Sequence, residues 1–169
     1  ESGPLAGIPW NNKIILVTAH RRENFGEPLK NICSAIRFLS KKYKEEIHIV
    51  YPVHPNPNVK NIIEKELSSI SNVSLLEPLK YIHLVHLMKR SYLVITDSGG
   101  IQEEAPGLGK PVLVLREKTE RPEGIESGIL KLIGTKTHII IKEVDKLLMN
   151  NIFFFKQKTA YELADGDWS

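Results

Sequence analysis

The sequence has little cysteine and no long apolar run. Cys33 is the one cysteine among 169 residues, so the chain offers neither a disulfide framework nor a cysteine-based metal site. No segment approaches the roughly 20 continuous apolar residues of a membrane span, and the first residues lack the basic-then-apolar pattern of a secretory signal. We therefore expect a cytoplasmic protein that does not associate with membranes.

The sequence also lacks a concentration of charge of one sign. Its 23 basic and 20 acidic residues leave a net charge of +3, and the Lys and Arg residues are scattered, so we expect no nucleic-acid partner. No pair of its six histidines has metal-ligand spacing beside a carboxylate, so we expect neither a metal nor another cofactor. The length and the 41% hydrophobic share are those of a globular domain.

Short apolar runs alternate with longer amphipathic segments, which is typical of a parallel α/β fold. Runs such as KIILVT and PVLVL predict strands that are buried on both faces. The predicted strands cover residues 13–18, 47–51, 73–76, 92–96 and 111–115, with weaker ones near 130–133 and 138–141. The predicted helices cover residues 28–43, 58–70, 81–89, 101–108 and 144–149.

The distinctive polar residues follow the predicted strands. The segments after them read AHRREN, PVHPN, EPLKY, DSGG and REKTERPEG. Because the carboxyl ends of parallel strands share one edge, where ligands bind in open sheets, we predict a ligand site at that edge.

The DSGG segment, residues 97–100, predicts a phosphate-binding turn. Gly99 and Gly100 would let a ligand approach the backbone, and the helix predicted next would offer free N–H groups to an anion. A plain turn in which Asp97 or Ser98 caps the helix explains the same residues equally well.

Two glutamates at the start of that helix refine the prediction. Glu103 and Glu104 suit the positive end of the helix dipole without any ligand. Beside a bound phosphate, however, a carboxylate is repulsive unless it binds another part of the ligand, and a ribose diol can donate both its hydroxyls to it. The combination indicates a nucleoside diphosphate, although neither G-x-G-x-x-G nor a Walker A motif is present.

Two further loops carry candidate ligand contacts. Arg116 and Arg121 follow the strand predicted at residues 111–115 and could reach a diphosphate, or they could belong to an ordinary charged surface loop. His54 is held between prolines, which restrict its backbone, and a structural role is as plausible as a functional one.

Taken together, TAHRRENFG, PVHPNP, EPLKY, TDSGGIQEEAPGLGKPVLVLR and TERPEG resemble, in order, the motifs of non-hydrolysing bacterial UDP-N-acetylglucosamine 2-epimerases. The resemblance implies that residues 1–152 form a UDP-binding Rossmann-like domain, the C-terminal half of a glycosyltransferase-B type two-domain fold. It also implies an isomerase, a homodimer when full-length, that interconverts UDP-GlcNAc and UDP-ManNAc by eliminating and re-adding UDP, in cell-envelope polysaccharide biosynthesis.

The resemblance assigns roles to individual residues. His20 matches an active-site histidine at the leaving UDP, and the carboxylates that act at C2 belong to the N-terminal domain, which is missing. We therefore expect this chain alone to bind UDP weakly and not to epimerise. The implied substrate contacts are Ser98, Gly99, Gly100, Glu104 and Arg121, and the implied contacts of a second, regulatory UDP-sugar are Arg21 and His54.

Three other functions fit parts of the pattern. A glycosyltransferase of the same two-domain type would share the nucleotide turn but is not expected to carry both HRREN and TERPEG. A non-catalytic UDP-binding module would fit a chain without the C2 carboxylates. A hydrolysing relative would release free N-acetylmannosamine and is the least supported by these motifs.

The last residues, 153–169, do not continue the family pattern. Residues 156–162, KQKTAYE, can be encoded by AAG CAG AAG ACG GCA TAC GAG, which resembles a common sequencing-adapter oligonucleotide. We expect residues 153–169 to be translated adapter rather than natural protein, and they are left out of the fold prediction.

Overall fold

The structure, a computed structural model, describes residues 3–117 and 129–149. In these ranges, six strands form one sheet that is flanked by five α-helices, with a short 3₁₀ helix at Arg22–Asn24. The strands are β1 (Lys13–Thr18), β2 (Ile47–Pro52), β3 (Val73–Leu76), β4 (Leu93–Thr96), β5 (Val112–Val114) and β6 (Leu130–Leu132). The helices are α1 (Glu27–Lys42), α2 (Pro57–Leu67), α3 (Tyr81–Arg90), α4 (Gly99–Gly107) and α5 (Thr137–Met149).

Every pair of neighbouring strands is parallel, and the strand order is β3-β2-β1-β4-β5-β6. From β1 the chain adds β2 and β3 towards one edge of the sheet. It then returns to place β4 beside β1 and adds β5 and β6 towards the other edge. The connections of β1 and β4 therefore leave in opposite directions and open a crevice at the carboxyl ends of these two strands. The predicted fold class, an α/β Rossmann-like parallel sheet flanked by helices, is confirmed.

Two apolar layers cover the two faces of the sheet. Along β1, Ile15 and Val17 pack against α1, α2 and α5, whereas Ile14 and Leu16 pack against α3 and α4. All four side chains are at most 1% exposed, which explains why the strand reads as a continuous apolar run. The core fixes β1 at the centre of the sheet, with its polar continuation at the sheet edge.

The weak strand predicted near residues 138–141 is wrong, because these residues lie in the first turns of α5. Ile140, Val144 and Leu148 recur every four residues and are buried in the layer that α1 and α2 also form. Packing of this face therefore overrides the strand preference of the isoleucine run His138–Ile141.

Two predictions fall on residues that the structure does not describe. Arg121 and the proposed adapter segment, residues 153–169, lie outside the described residues. Within the described part, no helix combines the length and the apolar character needed to cross a membrane.

Tyr51 connects β2 to the segment that follows β1. Its side chain is fully buried, and its hydroxyl donates a hydrogen bond to the carbonyl of Ala19 at 2.8 Å. Burial raises the pKa of this phenol well above its usual value, so the hydroxyl stays protonated and keeps donating. The bond holds the backbone one residue before His20.

We predict that Tyr51→Phe lowers the free energy of unfolding by about 1–3 kcal/mol, because it leaves the Ala19 carbonyl without its donor. Urea unfolding followed by circular dichroism measures the change. Tyr81→Phe is the matched control, since Tyr81 is 66% exposed and should change stability by less than about 0.5 kcal/mol. Equal losses in the two variants would contradict the structural role of Tyr51.

Candidate functional site

The site begins where β1 and β4 end side by side. Thr18 and Thr96 are paired in the parallel register, and their buried hydroxyl oxygens lie 2.6 Å apart. The Thr96 hydroxyl also accepts a hydrogen bond from the backbone N–H of Ser98 at 2.9 Å. These bonds define the directions in which the two connections leave the sheet.

The carboxylate of Asp97 joins the two connections. It is 0% exposed, and its Oδ2 accepts hydrogen bonds from the backbone N–H of His20, the backbone N–H of Arg21 and Nδ2 of Asn24, each at 2.9 Å. Asn24 is itself buried and also donates to the carbonyl of Leu115 at 3.4 Å. A buried carboxylate is costly unless it is hydrogen-bonded, and these donors satisfy it.

Gly99 and Gly100 of the DSGG segment belong to α4, which therefore begins two residues earlier than the predicted start at residue 101. Ser98 is the N-cap, and its hydroxyl accepts from the N–H of Ile101 at 3.4 Å. Gly99 and Gly100 are the first two helical residues, and neither has a positive φ. Their N–H groups have no partner within the helix and form the positive end of its dipole, where anions bind.

Packing against the protein does not require glycine at position 100. A Cβ built there would meet only the Ser98 hydroxyl, at 3.9 Å, which is an ordinary contact. A ligand that approaches the backbone closely would account for this glycine, whereas the fold does not.

The helix start opens into a cleft of about 310 Å³. One part of its lining is polar, with His20, His54 and Ser98 beside the exposed Gly100, and Glu104 one turn further along α4. The other part is apolar and comes from the β3–α3 connection and from α3. The apolar lining residues there are Pro78, Leu79, Leu84 and Met88.

Two imidazoles stack at the polar side of the cleft. The rings of His20 and His54 are nearly parallel, at 5°, with their centroids 5.4 Å apart. The Nδ1 atom of His54 accepts a hydrogen bond from the backbone N–H of Asn56 at 3.1 Å. The neighbouring Arg21 side chain is half-exposed and forms an ion pair with Glu23.

Glu104 already has a hydroxyl partner in this structure. The phenol of Tyr81, at the start of α3, donates to its Oε2 at 2.9 Å. That hydrogen bond is the main reason why the pKa of Tyr81 is raised above its usual value, and the negative charge of Glu104 adds to the shift. The carboxylate is therefore placed to accept hydroxyl protons at the rim of the cleft.

The structure gathers most of the predicted site residues, although not all of them. His20, His54, Ser98, Gly100 and Glu104 line one cleft, and Gly99 lies beside them in the first turn of α4. Arg21 reaches the site through its backbone N–H, and its side chain is not among the cleft lining. Arg116 lines a separate hollow of about 320 Å³ with Glu23, Asn24 and Glu117.

Sequence reasoning missed the roles of Asp97, Asn24 and Tyr81. The sequence pattern offers Asp97 only as a helix cap and gives Asn24 no individual role. Tyr81 belongs to the EPLKY segment, whose position after β3 was the signal that could have placed it at the site.

Within residues 3–117 and 129–149, no group of three histidine, cysteine, aspartate or glutamate side chains could hold a metal ion.

Known proteins resemble this chain over most of its length. The profile of the UDP-N-acetylglucosamine 2-epimerase family matches residues 5–165. The UDP-N-acetylglucosamine 2-epimerase of Campylobacter jejuni is 52% identical over 157 residues, which are 92% of this chain and 41% of that protein. The crystal structure of the Neisseria meningitidis UDP-GlcNAc 2-epimerase bound to UDP-GlcNAc has a TM-score of 0.86 at 48% identity, over 91% of this chain and 42% of that one.

A more distant structure shares the fold alone. The wall teichoic acid polymerase TagF has a TM-score of 0.59 at 17% identity, over 92% of this chain and 39% of that one. In each of these three comparisons, the matched part is about two fifths of the longer relative.

We predict that Glu104→Gln lowers the pKa of Tyr81 towards its usual value, because it removes the charged acceptor of the phenol proton. Titration of the Tyr81 ring-carbon NMR signal measures this pKa. Glu103→Gln is the matched control, since Glu103 is the exposed neighbour on the same helix and should leave the titration unchanged. An unchanged Tyr81 titration in Glu104→Gln would show that the phenol–carboxylate contact does not form in solution.

Proposed function

This chain belongs to the UDP-N-acetylglucosamine 2-epimerase family, and we propose that it is the UDP-binding, C-terminal half of such an enzyme. The whole enzyme would be an isomerase that interconverts UDP-GlcNAc and UDP-ManNAc. The observation that carries the proposal is the opening of α4 into the cleft, with the Gly99 and Gly100 N–H groups at its start and the Glu104 carboxylate one turn later.

The spacing along α4 selects a nucleoside diphosphate. Glu104 lies five residues after Gly99, about 7.5 Å along the axis at ~1.5 Å per residue. An anion held at Gly99 and Gly100 is therefore separated from this carboxylate, which repels charge but accepts hydroxyl protons. A ribose attached to the diphosphate meets both requirements, and its hydroxyls would take the place of the Tyr81 phenol.

The apolar part of the cleft suits the base of the nucleotide. Leu79, Leu84 and Met88 line the same cleft, and we assign the base to them because burying the faces of a flat ring against such side chains is favourable. Backbone groups would fix its orientation, as is usual in small-molecule sites. Phosphate, ribose and base are thus assigned to successive parts of one cleft.

The proposed chemistry uses His20 and the helix start together. When the bond between the sugar and UDP breaks, negative charge develops on the leaving diphosphate, and preorganised N–H donors stabilise it. His20 lines the same cleft and can donate a proton or a hydrogen bond to that oxygen. We propose His20 as the catalytic residue of this chain, with Arg121 as a further contact of the diphosphate.

The acid and base that act at C2 of the sugar are not provided by the described cleft. Glu104 is the single carboxylate among its lining residues and is assigned to the ribose, while Asp97 is 0% exposed and saturated with donors. The relatives are more than twice as long as the matched region. We propose that their additional domain supplies these carboxylates and the other wall of the cleft.

The regulatory, oligomeric and cellular assignments belong to the same proposal. His54 would contact a second, regulatory UDP-sugar because it stacks on His20 in the substrate cleft, and Arg21 would do so from the segment that carries His20. The full-length protein would be a cytoplasmic homodimer that serves cell-envelope polysaccharide synthesis, and a reduced, buried Cys33 fits a cytoplasmic protein.

Calorimetric titration of UDP into the chain tests the proposal. Glu104→Ala should weaken binding about 10- to 100-fold, because it removes charged hydrogen bonds to the ribose. Ser98→Ala should have a smaller effect, since it removes a neutral group. Gly100→Ala should weaken binding without lowering the unfolding temperature, because its Cβ fits the protein but occupies ligand space.

Glu103→Ala is the matched control for the glutamate variant, and its affinity for UDP should equal that of the unmodified chain. Unchanged affinity in both Glu104→Ala and Gly100→Ala would refute the nucleotide site. Equal losses in Glu103→Ala and Glu104→Ala would show that overall charge, rather than a ribose contact, explains the binding.

A further inference from the structure

The surroundings of His20 contain a buried carboxylate that the proposed chemistry does not use. Asp97 is 0% exposed, and its Oδ1 lies 3.5 Å from Nδ1 of His20. The side chain of His20 is 42% exposed and lines the cleft. One side of the imidazole therefore faces the carboxylate, while the ring as a whole borders the ligand space.

The carboxylate also fixes the backbone that carries this imidazole. Its Oδ2 accepts from the N–H groups of His20 and Arg21, and its Oδ1 accepts from the His20 N–H at 3.2 Å. The backbone N–H of Asp97 in turn donates to the carbonyl of Thr18 at 3.1 Å. The two chain segments are thus cross-linked by side-chain and backbone hydrogen bonds at the carboxyl ends of β1 and β4, immediately before the start of α4.

An ionised carboxylate accepts hydrogen bonds and donates none. The ring nitrogen that faces it is therefore favoured as the one that carries hydrogen, which leaves the other nitrogen with the lone pair. The two ring nitrogens are separated only by Cε1, so with Nδ1 beside the carboxylate we infer that Nε2 is the nitrogen available to the cleft, which His20 lines. Nε2 would first take up a proton and then donate it to the leaving diphosphate.

We propose that Asp97 is a positioning residue that holds the His20 segment and fixes its neutral imidazole in the Nδ1–H form, with Nε2 directed at the ligand. The inference goes beyond the proposed function, because it concerns how the imidazole is oriented in the free protein and requires no nucleotide. It also gives Asp97 a role other than capping α4, which Ser98 performs.

The stacked partner ring provides an internal reference. Nδ1 of His54 accepts a hydrogen bond from the N–H of Asn56, so a neutral His54 carries its hydrogen on Nε2. The two imidazoles of one stack are therefore expected in opposite tautomers. Long-range ¹H–¹⁵N correlation spectra of the histidine rings distinguish the two forms.

The test uses the chain labelled with ¹⁵N-histidine at a mildly alkaline pH, where imidazoles are neutral. In the unmodified chain we expect Nδ1–H for His20 and Nε2–H for His54. In Asp97→Asn, the amide oxygen can take the place of Oδ2 and accept from the same donors. The NH₂ group then takes the place of Oδ1, opposite Nδ1 of His20. Because that NH₂ group is a donor, His20 should change to Nε2–H, while His54 stays the same.

Asn24→Ala is the matched control for a purely structural effect. It removes one donor from Asp97 and the bond to Leu115, so it should lower the unfolding temperature, yet it keeps the carboxylate opposite His20. We expect the Nδ1–H form of His20 to persist in this variant. If Asp97 acted only by holding the fold together, folded Asp97→Asn would keep the Nδ1–H form of His20.

Two results would overturn the proposal. One is an Nε2–H form of His20 in the unmodified chain, a measurement that stands even if Asp97→Asn does not fold. The other is an Nδ1–H form that persists in folded Asp97→Asn. Neither result depends on UDP, so the positioning role and the nucleotide site can fail separately.

Discussion

The buried Asp97 carboxylate links the segment after β1 to the segment after β4, and the arrangement of the cleft depends on it. It accepts three donors from the other segment at 2.9 Å without any exposure to solvent. Parallel strands alone would bring the two segments to the same edge without fixing their relative positions. The carboxylate sets the position of His20 relative to the start of α4, and the rest of the cleft is built around that distance.

The chemical character of the cleft follows from what each element contributes at this junction. The α4 start contributes the positive end of a helix dipole and a glycine that the protein does not need for packing. The side chain of Glu104 contributes an acceptor, and α3 contributes an apolar surface. In the proposed site, these groups would bind phosphate, ribose and base respectively, which is why we propose a nucleoside diphosphate rather than a simple anion as the ligand.

Much of this could be predicted from the sequence, because it depends on local patterns. Apolar runs such as KIILVT located strands that are buried on both faces, and the polar residues after them predicted the edge of the sheet at which the cleft lies. The failures depend on contacts between distant parts of the chain. The His138–Ile141 run has strand propensity, and only its packing in the layer with α1 makes it helical. The role of Asp97 requires partners more than 70 residues away, which spacing does not reveal. The contact between Tyr81 and Glu104 likewise joins two helices.

The central claim is that the crevice between β1 and β4 binds UDP at the start of α4. Amide ¹H–¹⁵N chemical shifts during a titration of the chain with UDP test it most directly, because each amide reports its own surroundings. The account predicts that the largest changes occur at Gly99 and Gly100, with further changes at His20 and along the start of α3. Largest changes elsewhere, for example along α5, or no change at saturating UDP, would contradict it.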